Sequence, residues 1–276
     1  MNTDMLNLVR LPAIKARSNY SYGLRISARI GVSDEKHTPV EYAYGDNVRK
    51  IDWNTSAKTG VLHVHTTMQD TSVNVHIVYN DSPSMLYGTE RAKKDVQIQS
   101  LKALGYIGLQ TKDRVLLETV NGAYKSSLVN FDIYDTLHAS HSWETSSHYE
   151  AILERMTHGA TNALVVLALD ICSPASTLKY LRSLAYNNTL CILLISDFSE
   201  LNLRSAGNVR LLDPETKTSV YINSSNEHIA QEYGALARAR YSEIVNELEL
   251  MGAYVLHVST GDDVEQKLVA NLPRKS

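Results

Sequence analysis

Apolar residues along this chain fall into two repeating arrangements. VNVHIVY (73–79), ALVVLAL (163–169) and LCILLI (190–195) are short runs rich in Val, Ile and Leu. That is the pattern of strands buried on both faces of a sheet. Between and around these runs the apolar positions spread to a helical period. RAKKDVQIQSLKALGYIGLQ (91–110) spaces Val96, Ile98, Leu101, Leu104, Ile107 and Gly108 along one helix. Residues 145–157 and 174–187 also read as helices. A long amphipathic helix is predicted over 226–251, carrying Ile229, Tyr233, Leu236, Ala237, Tyr241, Ile244, Leu248 and Met251, with Gly252 as its stop. AYVLHVS (253–259) is a last strand, and Asp262 or Asp263 caps a final helix running to about Leu272.

Two hairpins interrupt this alternation. RVLLETV (114–120) and AYKSSLV (123–129) flank Asn121-Gly122, a dipeptide that tolerates the positive φ angles of a type I′ turn. NVRLL (208–212) and SVYIN (219–223) flank DPETKT. Strands alternating with helices predict an α/β fold: a mainly parallel, Rossmann-type sheet covered on both faces, with one antiparallel strand at an edge. Residues 1–72 break the pattern. They are polar and turn-rich, with short extended pieces at GLRISARI (23–30) and VLHVHTT (61–67). They predict a small β-rich N-terminal appendage over 1–72, ahead of a main domain over 73–276.

Composition narrows the function classes. The 276 residues carry 27 basic and 30 acidic side chains, a net charge of −3, and no dense Lys/Arg run, so nucleic acid is not an expected partner. The apolar runs are strand-length and the first residues lack a signal-peptide stretch, which predicts a cytoplasmic chain that does not insert into a membrane. Cys172 and Cys191 lie in or beside apolar runs and read as buried free thiols. The 16 tyrosines, against 2 Phe and 2 Trp, suit half-buried strand positions or contact surfaces.

In an open α/β sheet, ligands sit beyond the carboxyl ends of the strands. Asn80, Ser82 and Ser84 follow the strand at 73–79, and Asp170 ends the strand at 163–169. Thr145, at a predicted helix start, is a third contributor, with Ser146, Ser147 and Thr161 as alternatives. Oxygen donors converging from such loops are what a hard cation such as Mg²⁺ prefers. A polar loop with Ser82 or Ser84 capping the next helix is the structural alternative. The chain has no GxSxG, HExxH or GxxxxGK[ST]. His63 and His65 share a strand face without a completing ligand pattern, and His76, His138, His141 and His148 are scattered. Arg49 is expected to pair with Asp46 or Asp52, tying the appendage to the core; a docking surface anchored on Trp53 is the other reading.

Three stretches together resemble a known family. HTPVEYAYGDNVRKIDWNTSAKTGVLHV (37–64) carries Gly45, Asp46, Val48, Arg49, Ile51, Asp52 and Trp53 in step with a GDDxRxIDW-like motif. NDSPSM (80–85) follows a strand where the family has DxSxSM. SDFSELNLRSAGNVRLLDPETK (196–217) carries Asp197, Glu200, Gly207 and Asp213-Pro214-Glu215-Thr216 of a DPxE…DPETG pattern. The resemblance, spanning about residues 20–270, is to the bacterial family called domain of unknown function 58. It implies a von Willebrand A-like fold with a metal-ion-dependent adhesion site, here Asn80, Ser82, Ser84, Thr145 and Asp170. It also implies a non-enzymatic adaptor or co-chaperone role beside a MoxR-type AAA+ ATPase and its client. Metal-dependent phosphoester hydrolysis and a structural subunit with a vestigial site are the alternatives. The departure is Asn80, where the family has Asp. One charge at ~4 Å and effective dielectric 20 is worth roughly 4 kcal/mol. Binding of Mg²⁺ or another divalent cation is therefore expected to be weakened, or completed by a partner's carboxylate.

Overall fold

A computed structural model describes residues 3–13, 37–43, 48–67, 73–119, 122–125 and 148–274. The chain divides into two compact units, one of Ala16–Ser72 and one of Met1–Lys15 with Val73–Ser276.

In the smaller unit, strands β1 (His37–Glu41) and β2 (His63–Thr67) pair antiparallel, and helix α2 (Trp53–Thr59) lies between them in sequence. Asp52 starts that helix. Its carboxylate accepts from the amides of Asn54 and Thr55 and from the Thr55 hydroxyl, satisfying donors the first turn leaves open. Asp52 is thus a helix cap, and Trp53 beside it is 70% exposed. Asp46 and the expected strand at 23–30 lie outside the described residues. His63 Nδ1 sits 2.7 Å from the Val61 carbonyl oxygen.

The larger unit opens with a short helix, α1 (Thr3–Leu6). Its main elements are β3 (Asn74–Val78), α3 (Lys93–Gln110), β4 (Arg114–Thr119), β5 (Gly122–Lys125), α4 (Tyr149–Gly159), β6 (Leu164–Leu169), α5 (Ala175–Asn187) and β7 (Thr189–Ser196). A one-turn helix α6 (Phe198–Leu201), a hairpin of β8 (Asn208–Leu212) and β9 (Ser219–Asn223), α7 (Glu227–Leu250), β10 (Tyr254–Ser259) and α8 (Val264–Asn271) complete it.

Six strands form one sheet in the order β10-β7-β6-β3-β4-β5, parallel throughout except for β5. This is the expected α/β architecture, and its strand order is that of a doubly wound Rossmann-type sheet. Alternate strand residues feed two cores. Val75, Ile77, Val166, Ala168, Leu193 and Val258 pack with α3 and α8 on one face. Val78, Val165, Leu167, Ile192 and Leu194 pack with α4, α5 and part of α7 on the other. Burial on both faces is why β6 and β7 are almost purely apolar.

Three expectations shift. Residues 1–15 go with the larger unit rather than with the rest of 1–72. The reason is apolar burial: Leu6, Val9 and Leu11 join the core beside Leu268 and Leu272, and Val9 bridges Arg274. The β4–β5 ladder pairs Gly122 with Thr119, so Gly122 is a paired strand residue and not the second turn residue that the Asn-Gly rule made it. The apolar stripe of α7 is buried only at its C-terminal half, through Ile244 and Leu248, while Leu236 is 66% exposed.

The N-terminal segment yields a direct test. Truncating the fully packed Leu6 to Ala is expected to cost about 2–5 kcal/mol of stability, measured by denaturant unfolding of the full chain. A loss near zero would remove residues 3–13 from the core.

Candidate functional site

Strand order reverses between β3 and β6, so the loops leaving these neighbours form the switch-point crevice. Asn80 follows β3 and Asp170 ends β6. The structure brings Asn80, Ser82, Ser84 and Asp170 to this one edge of the sheet. Thr145, Ser146 and Ser147 lie outside the described residues. Thr161 precedes β6, at the opposite end of that strand from Asp170.

Each described site residue is already engaged. Asn80 is buried, and both ends of its amide are used. Nδ2 donates to the Ala168 carbonyl at 3.1 Å, and Oδ1 accepts from the Ser82 amide at 2.9 Å. A carbonyl can only accept and an amide N–H can only donate, so these partners set the orientation of the side chain. An Asp at this place would set a second acceptor against the Ala168 carbonyl. The Asn80 main chain is clamped as well: its N–H donates to Gln97 Oε1 at 2.8 Å, and its carbonyl accepts from Gln97 Nε2 at 2.9 Å. The Ser82 and Ser84 hydroxyls lie 3.2 Å apart and bond each other. The Ser84 amide donates to Glu215 Oε1, from the β8–β9 turn, at 3.1 Å. Asp81 turns aside and accepts from His148 at the start of α4.

Asp170 meets a group that periodicity did not single out as functional. Lys93, the first residue of α3, is fully buried, and its Nζ lies 2.6 Å from Asp170 Oδ2 and 2.5 Å from Glu200 Oε1. The remaining oxygens are held too. Asp170 Oδ1 accepts from the Ser173 hydroxyl, and Glu200 Oε2 accepts from the Asp197 amide. Burial pulls the Lys93 ammonium toward neutrality, but the two carboxylates outweigh it and hold its pKa above the ordinary lysine value. Lys93 is therefore a fixed cation, not a nucleophile. Two carboxylates share one ammonium, and burial pushes the Glu200 carboxyl above its usual range against the pull of Lys93. Cys172, whose sulfur lies near this pair, is pushed up to about 12 by burial and then by the Asp170 charge, so it is an unreactive thiol.

Asp197, at the end of β7, is a second knot. Its carboxylate accepts from the Thr89 amide at 2.8 Å, the Ser199 amide at 2.9 Å and the Thr260 hydroxyl at 2.6 Å. Burial raises its pKa, but the hydroxyls of Ser199 and Thr260 and the two amides outweigh that and hold it well below the carboxylate range. Arg91 continues the stitching through the Thr260 carbonyl at 2.8 Å and Gln99 Oε1 at 3.0 Å, with a further bond to the Asp262 carbonyl. The segment from Tyr87 to Lys93 is thus tied to the ends of β6, β7 and β10. It makes a tight turn at Gly88, where an added Cβ would fall 1.9 Å from the Arg91 carbonyl oxygen.

A divalent ion at Asp170 Oδ2 would have to displace the Lys93 ammonium, and the Asn80 amide already bonds protein groups at both ends. Among the described residues the one cluster of His, Cys, Asp and Glu spaced for a metal is Asp170, Cys172 and Glu200, the group Lys93 already bridges. His76 is occupied elsewhere: its Nδ1 is 2.8 Å from buried Glu118, which also pairs with Arg155 at 2.9 Å. Burial raises the Glu118 pKa, but these two bases outweigh it and keep the carboxyl low.

The residues missed in the sequence had a readable signal. Lys93 stands in register with Val96, Gln97, Leu101 and Leu104 on the buried face of α3, and at a helix N-terminus, where the macrodipole disfavours a cation. A lysine at such a place implies carboxylates held against it.

Comparison with known proteins agrees with the motifs. The chain belongs to the family described as Protein of unknown function DUF58, matching it over residues 40–243. It is 21% identical over 233 residues to uncharacterised proteins of Mycobacterium bovis and Mycobacterium tuberculosis, covering 80% of this chain and 73% of each relative. Among solved structures it is similar to an aerotolerance-related membrane protein from Bacteroides fragilis with multiple mutations to serines. That likeness is at 11% identity and a TM-score of 0.41, over 72% of this chain and 96% of that one. No helix among the described residues is long and apolar enough to cross a membrane.

Two outcomes are expected. Removing the buried ammonium in Lys93→Ala leaves two carboxylates without their cation and should cost about 3–5 kcal/mol, read by chemical denaturation at neutral pH. Asp197 has its folded pKa depressed, so its contribution is complete above about pH 4 and is lost as pH falls toward the folded value. Asp197→Asn should accordingly be less stable at neutral pH, with a flatter acid limb in unfolding profiles. An acid limb as steep as the wild type's would assign that slope to other carboxylates.

Proposed function

We propose that this chain is a non-catalytic protein-interaction module that presents the carboxyl edge of its sheet to a partner. The observation that carries the reading is how this edge divides. Its buried polar groups are paired with one another, and beside them three large apolar side chains, Leu86, Tyr87 and Phe198, stand exposed. Tyr87 is 45% exposed and Phe198 63% exposed, and both border Ser199, whose hydroxyl lies 2.6 Å from the Tyr87 hydroxyl. Leu86 is exposed beside them. Aromatic side chains on a rigid, internally hydrogen-bonded frame are the usual anchors of a contact surface. They keep little rotamer freedom to lose, so ordering on binding is inexpensive.

The resemblance of the sequence motifs supplies the partner class: a MoxR-type AAA+ ATPase, with this chain as adaptor toward its client. Hydrolysis of a phosphoester by metal-activated water is less well supported, because it asks for free oxygen donors at Asp170 and Asn80. The raised pKa values of Lys93 and Cys172 also leave no activated nucleophile at this pair.

The test is association of the purified chain with a MoxR-type ATPase of the source organism, measured by titration. Phe198→Ala and Tyr87→Ala should each weaken binding by at least about tenfold, the range of an interface anchor, with the thermal midpoint unchanged. Association at wild-type strength in the double variant would remove this surface from the interface.

A further inference from the structure

We propose that Lys93 is a tethered cation standing where a divalent metal would otherwise cross-link the strand ends, so that this edge is assembled without metal. The inference deepens the interaction reading, because the same loops carry the exposed side chains.

The geometry is that of a cross-link. One ammonium joins the carboxylate that ends β6 to a carboxylate of the turn after β7, at 2.6 and 2.5 Å, with no exposed surface of its own. Those carboxylates come from residues 77 and 107 positions away in sequence, so the bond ties three separate segments. The ligand atoms of Asp170, Cys172 and Glu200 lie within 4.8 Å of one another. Two carboxylates and a thiol at that spacing are a donor set for a transition metal. The ammonium is seated on two of the three. A dication brought to the same oxygens would meet a like charge that has no route to solvent.

Two further features fit a positive charge supplied by the chain itself. Asn80 directs an N–H, not a carboxylate, at the Ala168 carbonyl, so the lead position of the loop adds no negative charge for a metal to balance. Lys93 also sits in the first turn of α3, against the helix dipole. That placement is unfavourable for the helix and is accounted for by the carboxylates. A covalently tethered cation cannot dissociate, so the arrangement of the edge is independent of the metal concentration around it.

The experiment follows the thermal midpoint of the full chain in EDTA, in Mn²⁺ and in Zn²⁺, with Mn²⁺ binding measured by calorimetry. The wild-type midpoint is expected to be the same in all three. Lys93→Ala should melt several degrees lower in EDTA and regain part of that loss in Mn²⁺ or Zn²⁺, as ligand binding to the folded state requires. The regain should vanish in Lys93→Ala/Asp170→Asn. Wild-type binding of Mn²⁺ that Asp170→Asn abolishes overturns the proposal, as does a folded Lys93→Ala with no response to either ion. Should Lys93→Ala fail to fold even with Mn²⁺, Lys93→Arg decides. A folded Lys93→Arg chain indifferent to Mn²⁺ supports the tethered charge, and one stabilised by Mn²⁺ overturns it. Metal binding by the wild type, with partner binding still lost in Phe198→Ala, would sink this inference alone. Gained metal dependence in Lys93→Ala, with no ATPase association in the wild type, would sink only the interaction reading.

Discussion

An ammonium group enters a protein interior only with its counter-charges in place, because the isolated ion is costly to desolvate. Lys93 meets that condition through Asp170 and Glu200, and much of the larger unit is arranged around the meeting. It places the first turn of α3 against the ends of β6 and β7. Gly88 supplies the tight turn before it. Thr89 and Arg91, between the glycine and the lysine, reach the ends of β7 and β10. Glu200 serves twice, accepting from Lys93 with one oxygen and closing the α6 capping box with the other. Loss of the ammonium would therefore be felt in three loops, not one.

The same constraint organises the neighbouring loop. Asp170 is bonded to Lys93, and the residues after β3 are ordered by other protein groups. Gln97, one turn along α3 from Lys93, clamps both main-chain polar groups of Asn80. Glu215 arrives from the β8–β9 turn to hold the Ser84 amide. Buried polar networks of this kind are rigid when every member is satisfied. Leu86, Tyr87 and Phe198 stand exposed beside this buried polar floor.

Much of this fold was legible in the sequence. Unbroken Val/Ile/Leu runs mark β6 and β7 because both faces are covered, and alternating strand residues do divide between two cores. The site loops were legible too, since the end of a parallel strand at a switch point is set by topology. What periodicity could not deliver was the partner of each polar group. Asp170 and Lys93 stand 77 residues apart, and Ser84 and Glu215 stand 131 apart. No local pattern encodes such pairs. Only the odd placement of Lys93 in an apolar stripe hinted at one. The N-terminal segment was misplaced for a related reason. Leu6, Val9 and Leu11 are too few to show a period, yet they are buried against α8. For α7 the stripe is long, but among the described residues only Ile244 and Leu248 of it are fully buried, and its N-terminal half meets no more than the short α6.

The family motifs gain a physical meaning from these contacts. The segment at 196–217 and the segment at 80–85 are separate in sequence, but Asp197 and Glu200 of the first bind Thr89 and Lys93 just after the second. The Asp213 turn presents Glu215 to Ser84 itself. Asp213 holds that turn by accepting from the Thr216 hydroxyl and from the amides of Glu215 and Thr216. So the two motifs are halves of one assembly at the carboxyl edge of the sheet. Asn80 is consistent with that assembly rather than a defect in it. Where the cation is built into the chain, a leading carboxylate would add unbalanced negative charge to a pair of acids that already outnumber their lysine.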